Sequence, residues 1–159
     1  MTANPEPLLD DTDRLLLDEL QRDAGRTLRE LGEVVGLSPS AVQRRMERYR
    51  SSGLVSRTTV VLNPGRDLVH AVCLVAVERE SQRLHEAFQR RLTSAPEVQQ
   101  LYMVYGAWDY VVVLVTSGMA RYHEVAERLF ADEPNVRRYS TLFCLNPVLT
   151  GSTIPAEFL

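Results

Sequence analysis

The chain has 159 residues, enough for one domain or two small ones, with the 45% hydrophobic and 25% charged content of an ordinary soluble globular protein. No apolar run approaches the roughly 20 residues of a membrane span, and the start, MTANPEPLLDD, lacks the basic and apolar regions of a signal peptide. The formal charge is -3 and all 18 basic side chains are Arg, so arginine abundance by itself identifies no partner.

The prolines of the first residues read as a short disordered lead. A helix is expected over 9–24, with Asp10 or Asp11 as cap and Leu16, Leu17 and Leu20 facing inward. Acids in its first turns suit the helix dipole. The stretch 27–53, TLRELGEVVGLSPSAVQRRMERYRSSG, then reads as two short helices joined by a tight turn. Thr27 and Glu30 make a capping-box pair, and Leu28, Leu31, Val34 and Val35 recur at helical spacing. Gly36 can take the left-handed conformation that ends a helix. Ser38 caps the next one, and Pro39 sits at its first position, where a missing amide costs nothing. Val42, Met46 and Tyr49 form its apolar stripe, and Gly53 stops it.

Two helices so joined, the second polar and cationic on its outer face, have the pattern of a helix-turn-helix. The second helix of such a pair enters the DNA major groove. The side opposite Val42 carries Ser40, Arg44 and Glu47, flanked by Gln43 and Arg48. Ser, Gln and Arg can all donate to base edges, Arg bidentately to guanine. The N-terminal part of such a helix usually reads bases, which favours Ser40, Gln43 and Arg44. Arg45, Arg48 and Arg50 suit phosphates, while Arg45 fits equally as an anchor within its own domain. Glu47 can pair with Arg44 or Arg50, or accept from a cytosine amino group. The candidate DNA-contacting set is Thr27, Ser38, Ser40, Gln43, Arg44, Arg45 and Arg48. Residues 38–57 hold five Arg against the single acid Glu47, a basic edge on an acidic body that orients docking. The acidic first helix should face away from DNA.

Beyond Gly53 the pattern changes. Residues 54–62 are rich in β-branched side chains, and Asn63-Pro64-Gly65 marks a turn, which together read as an extended connector. Strands are expected over 70–78, 98–105, 109–116 and 136–145, and helices over 81–93 and 119–131. Cys73 and Cys144 fall in these strands, where a buried reduced thiol is the default, and they have no metal-ligand spacing. The order βαββαβ is the ferredoxin-like arrangement, with both helices on one sheet face. Yet the strands are apolar on both sides, as in 71–77 and 110–115, so both faces should be buried. No segment of the chain is left over to cover the second face, and a second copy is expected to do so. The fold class is thus α+β, with a helix-turn-helix domain at 1–54, a linker at 55–66 and a ferredoxin-like domain at 67–159.

Together the two halves resemble the Lrp/AsnC, or feast/famine, regulatory family. The likeness is carried by LDDTDRLLLDELQRDAGRT, with Arg26 at the family's arginine, by LSPSAVQRRMERYRSSGLV, and by YGAWDYVVVLV and NVRRYSTLFCLNPV in the second domain. The resemblance implies a cytoplasmic DNA-binding regulator, a homodimer that assembles to a tetramer or octamer, and an amino acid or related metabolite as effector. The family's effector turn falls on Gly106, Ala107, Trp108 and Asp109, with Met103, Tyr105, Tyr110, Tyr139 and Thr141 as further candidates for the pocket. Gly106 would let backbone amides approach a carboxylate, and Asp109 would accept from an α-ammonium group. The same residues also suit a plain hairpin turn, with Trp108 packing at a subunit interface. Three departures stand out: the bulk of Trp108, Tyr49-Arg50 where the family has Leu-Glu, and GRDLVHAV without the usual Gly.

The leading expectation is therefore a ligand-responsive transcription regulator, and the alternative is an architectural protein that wraps DNA without an effector. No cofactor or metal is expected. His70, His85 and His123 are scattered, and no nucleophile–base pair, metal cluster or phosphate loop is legible, so no enzyme is expected.

Overall fold

The computed structural model describes residues 9–62, 68–79, 81–146, 148–151 and 153–159. Most of the proline-bearing lead and the Asn63-Pro64-Gly65 turn lie outside the described residues. The chain divides into two compact units, residues 1–61 with 150–159 and residues 62–149. No helix among the described residues is long and apolar enough to cross a membrane.

The first unit is built from α1 (Asp11–Arg22), α2 (Leu28–Val35) and α3 (Pro39–Ser51). Each helix start has a side-chain partner for its orphan amides. Asp10 accepts from the Asp13 N–H at 2.7 Å, and Asp13 from the Asp10 N–H at 3.1 Å. Thr27 and Glu30 form the expected capping box. Ser38 accepts from the Ala41 N–H at 3.3 Å, with Pro39 in the first turn. Leu16, Leu17, Leu31, Val42 and Tyr49 make the core, joined at its margins by Leu20, Leu28, Val35, Leu37 and Met46. Burying each of the larger ones is worth about 1.5–3 kcal/mol. Val34, expected on the apolar face of α2, is instead 47% exposed. The stripe Leu28, Leu31 and Val35 already fills the contact of this eight-residue helix, which leaves Val34 on its outer side.

The last residues correct the expected domain boundary, which placed 67–159 in one domain. Residues 150–159 belong with the helical unit. The Gln21 amide holds the backbone of Ile154 from both sides, donating to its carbonyl and accepting its N–H, each at 2.8 Å. The Ala156 N–H donates to Asp18 at 3.1 Å, and Ala156 is 1% exposed within the helical core. Satisfied backbone groups and a buried methyl hold a segment whose sequence shows neither strand nor helix periodicity.

The second unit runs β1 (Val69–Val77), α4 (Gln82–Thr93), β2 (Val98–Met103), β3 (Tyr110–Thr116), α5 (Met119–Ala126) and β4 (Val136–Phe143). The strands are ordered β2-β3-β1-β4 and every neighbour is antiparallel, which is the expected ferredoxin-like sheet. β2 and β4 each stop two residues short of expectation. The helix expected to run to 131 changes after Ala126 into a wider turn over Glu127–Ala131, in which the Asp132 N–H reaches back five residues to the Glu127 carbonyl. Cys73 is buried as expected, whereas Cys144 lies just past β4 and is exposed.

Strand alternation sorts the two sheet faces. Ala71, Cys73, Val75, Tyr110, Val112 and Leu114 lie under the helices and pack with Phe88, Leu92, Val125, Leu129 and Phe130. Val72, Leu74, Val111, Val113 and Val115 point the other way and are only half-buried, and Tyr102 and Leu142 beside them are exposed by 52% and 57%. The second face is therefore apolar and is left uncovered by the described residues.

Candidate functional site

The residues singled out in the sequence fall in two regions, one in each unit. In the helical unit, α3 buries Val42 and Tyr49 and turns Ser40, Gln43, Arg44 and Glu47 outward, all exposed. Glu47 pairs with neither Arg44 nor Arg50 among the described residues and accepts from Gln43 one turn earlier, at 3.0 Å, which leaves the cytosine role open. The two caps are also exposed. Thr27 donates to Glu30 at 2.8 Å, and the Ser38 hydroxyl lies 3.1 Å from that of Ser40.

Arg45 and Arg48 behave differently from Arg44. Arg45 donates to Asp13 at 2.5 Å and lies 2.9 Å from an Asp10 carboxylate oxygen. Arg48 donates to Asp13 at 2.5 Å, its guanidinium 5.6 Å from the centre of the Tyr49 ring. Of the two roles open to Arg45, this geometry is the anchoring one. The Tyr49 hydroxyl makes a third donation to Asp13, again at 2.5 Å. Burial pushes the Asp13 carboxyl up, but the hydrogen bonds from Tyr49, Arg45 and the Asp10 amide, with the charge of Arg45, outweigh it and bring the pKa down to about 2. The Asp13 hydrogen bond raises Arg45, while burial and then the same carboxylate raise the Tyr49 phenol. Arg44, Arg45 and Arg48 together line a shallow hollow of about 300 Å³.

Asp13 and Tyr49 were not among the sequence candidates. The signal was present: Asp13 shares the stripe of Leu16, Leu17 and Leu20, so an acid stood on the buried side of α1. Reading the acids of α1 only as dipole partners facing away from DNA missed that this one turns toward α3. Arg26, similarly, serves Glu19 at 2.5 Å, and Glu19 is 5% exposed.

In the second unit, the turn between β2 and β3 holds Tyr105, which is fully exposed, and Gly106 with φ +141°. That φ lies where a side chain would be strained. Arg138 on β4 stacks its guanidinium 4.5 Å from the Trp108 ring centre and donates to the Ala107 carbonyl at 3.3 Å. Asp109 accepts from the Val77 N–H at 2.7 Å, while its own N–H donates to the Val75 carbonyl at 2.9 Å. Its carboxylate thus closes the end of β1. Tyr139, Val75, Tyr110 and Met103 make one row across the sheet, on the helix side. Three strand spacings, roughly 14 Å, separate Tyr139 from Met103. Met103 and Tyr139, both candidate effector residues, therefore do not meet within one chain. Tyr139 stacks near Phe130 (ring centres 5.3 Å), and Thr141 bonds with the Tyr122 hydroxyl at 2.5 Å.

The histidines remain apart. His85 lies 2.5 Å from the Tyr110 hydroxyl and His123 is exposed on α5. Among the described residues no group of three or more His, Cys, Asp or Glu is placed to hold a metal.

Residues 9–50 match the AsnC-type helix-turn-helix domain, and residues 70–154 match the Lrp/AsnC ligand binding domain. The chain belongs to the Lrp/AsnC family of transcriptional regulators. It is 32% identical over 141 residues to an uncharacterized HTH-type transcriptional regulator of Haemophilus influenzae, covering 87% of this chain and 83% of that one. It is 29% identical to the proline dehydrogenase transcriptional activator of Rhodobacter capsulatus, over 89% of this chain and 94% of that one. Its fold superposes on a Neisseria meningitidis transcriptional regulator solved as an L-Met complex, with a TM-score of 0.87 and 26% identity, over 94% of this chain and 98% of the other. As an Lrp/AsnC regulator, the chain carries a DNA-binding helix-turn-helix and an α+β domain with a four-stranded antiparallel sheet.

Proposed function

We propose that this Lrp/AsnC regulator reads its operator through Ser40, Gln43 and Arg44 on the outer face of α3. In this reading Thr27 and Ser38 hold the helix starts against the DNA backbone. The observation that carries the reading is the division of α3 into an exposed face bearing those three side chains and an opposite face locked into the core. Arg44→Ala should weaken binding to a preferred duplex by about 1–3 kcal/mol and relax base preference at one position. The check is binding to a panel of duplexes, each changed at one base. A uniform loss across the panel would move Arg44 to the phosphates.

The functional unit is a dimer through the open sheet face, which assembles further to a tetramer or octamer. Its second unit senses an amino acid or related metabolite near Tyr105, Gly106, Ala107, Trp108 and Asp109. The L-Met held by the Neisseria relative supports that ligand class. Because Met103 and Tyr139 occupy opposite sheet edges, a pocket lined by both would draw them from different copies. Such an effector acts by favouring one assembly over another, since a ligand shifts only the states it binds differently. The compartment that goes with a DNA partner is the cytoplasm, and the reading assigns the chain no catalytic role. Thermal unfolding against a panel of amino acids, L-Met included, tests the sensing. One member should raise the melting temperature selectively, and a flat panel at high concentration would favour DNA wrapping without an effector.

A further inference from the structure

We infer that Asp13 is a positioning residue for DNA reading. It withholds Arg45 and Arg48 from the DNA phosphates and fixes the roll of α3. The inference rests on the proposed role of α3.

The geometry is specific. Asp13 is 1% exposed, and a single one of its oxygens, Oδ1, receives Arg45, Arg48 and the Tyr49 hydroxyl, each at 2.5 Å. Its other oxygen accepts the Asp10 N–H at 3.1 Å, and Asp10 itself lies 2.9 Å from Arg45. Residues 45, 48 and 49 are one helical turn of α3, spaced i, i+3 and i+4, so one carboxylate grips one face. The outward set Ser40, Gln43, Arg44 and Glu47 follows the same spacing on the neighbouring face. A slip of α3 by one residue would rotate it by about 100° and break all three Asp13 contacts together. The carboxylate therefore sets which side chains point outward.

It also sets the charge. Two acids, Asp13 of α1 and its N-cap Asp10, stand against two guanidinium groups of α3, so neither guanidinium is engaged in neutralising a phosphate. Phosphate neutralisation determines how steeply DNA affinity falls with salt, by about 0.9 in the logarithmic slope per contact. A count of arginines on α3 thus overstates its phosphate contacts. Arg48 is further pinned by its position over the Tyr49 ring.

The test uses the full-length protein, a duplex selected by it from a random pool, and a scrambled duplex of equal composition. Binding is measured to both over a salt series. Asp13→Asn removes the holding charge but keeps the shape. We expect the salt slope to steepen by about 1 as Arg48 turns to a phosphate, and the ratio of selected to scrambled affinity to fall roughly tenfold, the scale of one lost base-pair discrimination. Arg48→Gln should leave the slope unchanged. If Arg48→Gln makes the slope shallower by about 1, or if folded Asp13→Asn keeps both slope and ratio, the inference is overturned. Should Asp13→Asn fail to fold by circular dichroism, the Arg48→Gln slope decides alone. Arg44→Gln separates the two claims. If it relaxes discrimination while Arg48→Gln flattens the slope, only the role of Asp13 fails; if it leaves both discrimination and affinity intact, the role of α3 in reading DNA fails and the inference with it.

Discussion

Asp13 keeps its charge well into acid, and this has a consequence for stability. Its carboxyl titrates near 2 in the folded chain against an ordinary value of 3.8, because donors from Tyr49 and Arg45 outweigh the burial that opposes them. A folded-state pKa below the unfolded one means stability that is fully present above about pH 4 and is lost as pH falls through about 2. The contribution is on the order of 2 kcal/mol. Acid unfolding of the wild type, followed by circular dichroism, should be compared with that of Asp13→Asn. The difference between their stabilities should be constant above pH 4 and shrink below it; a constant difference down to pH 2 would contradict the assignment. Much at this scale was readable from sequence. Thr27, Glu30, Ser38 and Pro39 do what their chemistry and position predict, because a cap is a local interaction. The Asp13–Tyr49 bond was not readable, since it joins residues 36 positions apart, and the pattern gives a tyrosine on an apolar stripe no visible partner.

The turn between α2 and α3 owes its shape to two glycines with different duties. Gly36 adopts φ +70°, which ends α2 as its position in the sequence implies. Gly32 is less obvious, because it sits inside the helix, where glycine ordinarily only weakens it. Here the Leu37 carbonyl folds back on Gly32, and a Cβ there would lie 2.4 Å from that oxygen. The same carbonyl-to-amide approach places the Leu37 N–H 2.9 Å from the Gly32 carbonyl. Backbone cannot step aside as a flexible side chain would. Gly32→Ala should therefore destabilise the helical unit by about 1–3 kcal/mol, the ordinary cost of overpacking, despite alanine's better helix propensity. Urea unfolding read on the helical signal checks it, and a neutral or stabilising result would show that the turn can open. In the second unit the strands and helices were legible from periodicity almost to their ends. The lateral places of Met103 and Tyr139 were not, because strand order across a sheet leaves no mark on local pattern.

At the scale of the whole molecule, the sheet face that the described residues leave uncovered is an unmet demand. Val72, Leu74, Val111 and Val113 lie half-buried at its middle, flanked by exposed Tyr102 and Leu142. Apolar surface of this kind on one contiguous face is what subunit interfaces are made of. Val113→Arg would place a charge at its centre, which a second copy could bury only at a cost of several kcal/mol. Analytical ultracentrifugation should find the wild type dimeric or larger at micromolar concentration and Val113→Arg dissociated toward monomer. A wild-type monomer would sink the dimer; an unchanged assembly in the variant would move the interface elsewhere.

The return of residues 150–159 to the helical unit also orders events during synthesis. The unit that is begun first is finished last, because 62–149 are made between its two pieces. At ribosomal speeds of about 5–20 residues per second, the three helices wait roughly five to twenty seconds for the segment that supplies Ala156 and meets Gln21 and Asp18. A chain stalled before Ile154 and Ala156 lacks that closure. The complete DNA-binding head thus belongs to chains already extended through 150–159, and its last contacts form only after the whole second unit has been made.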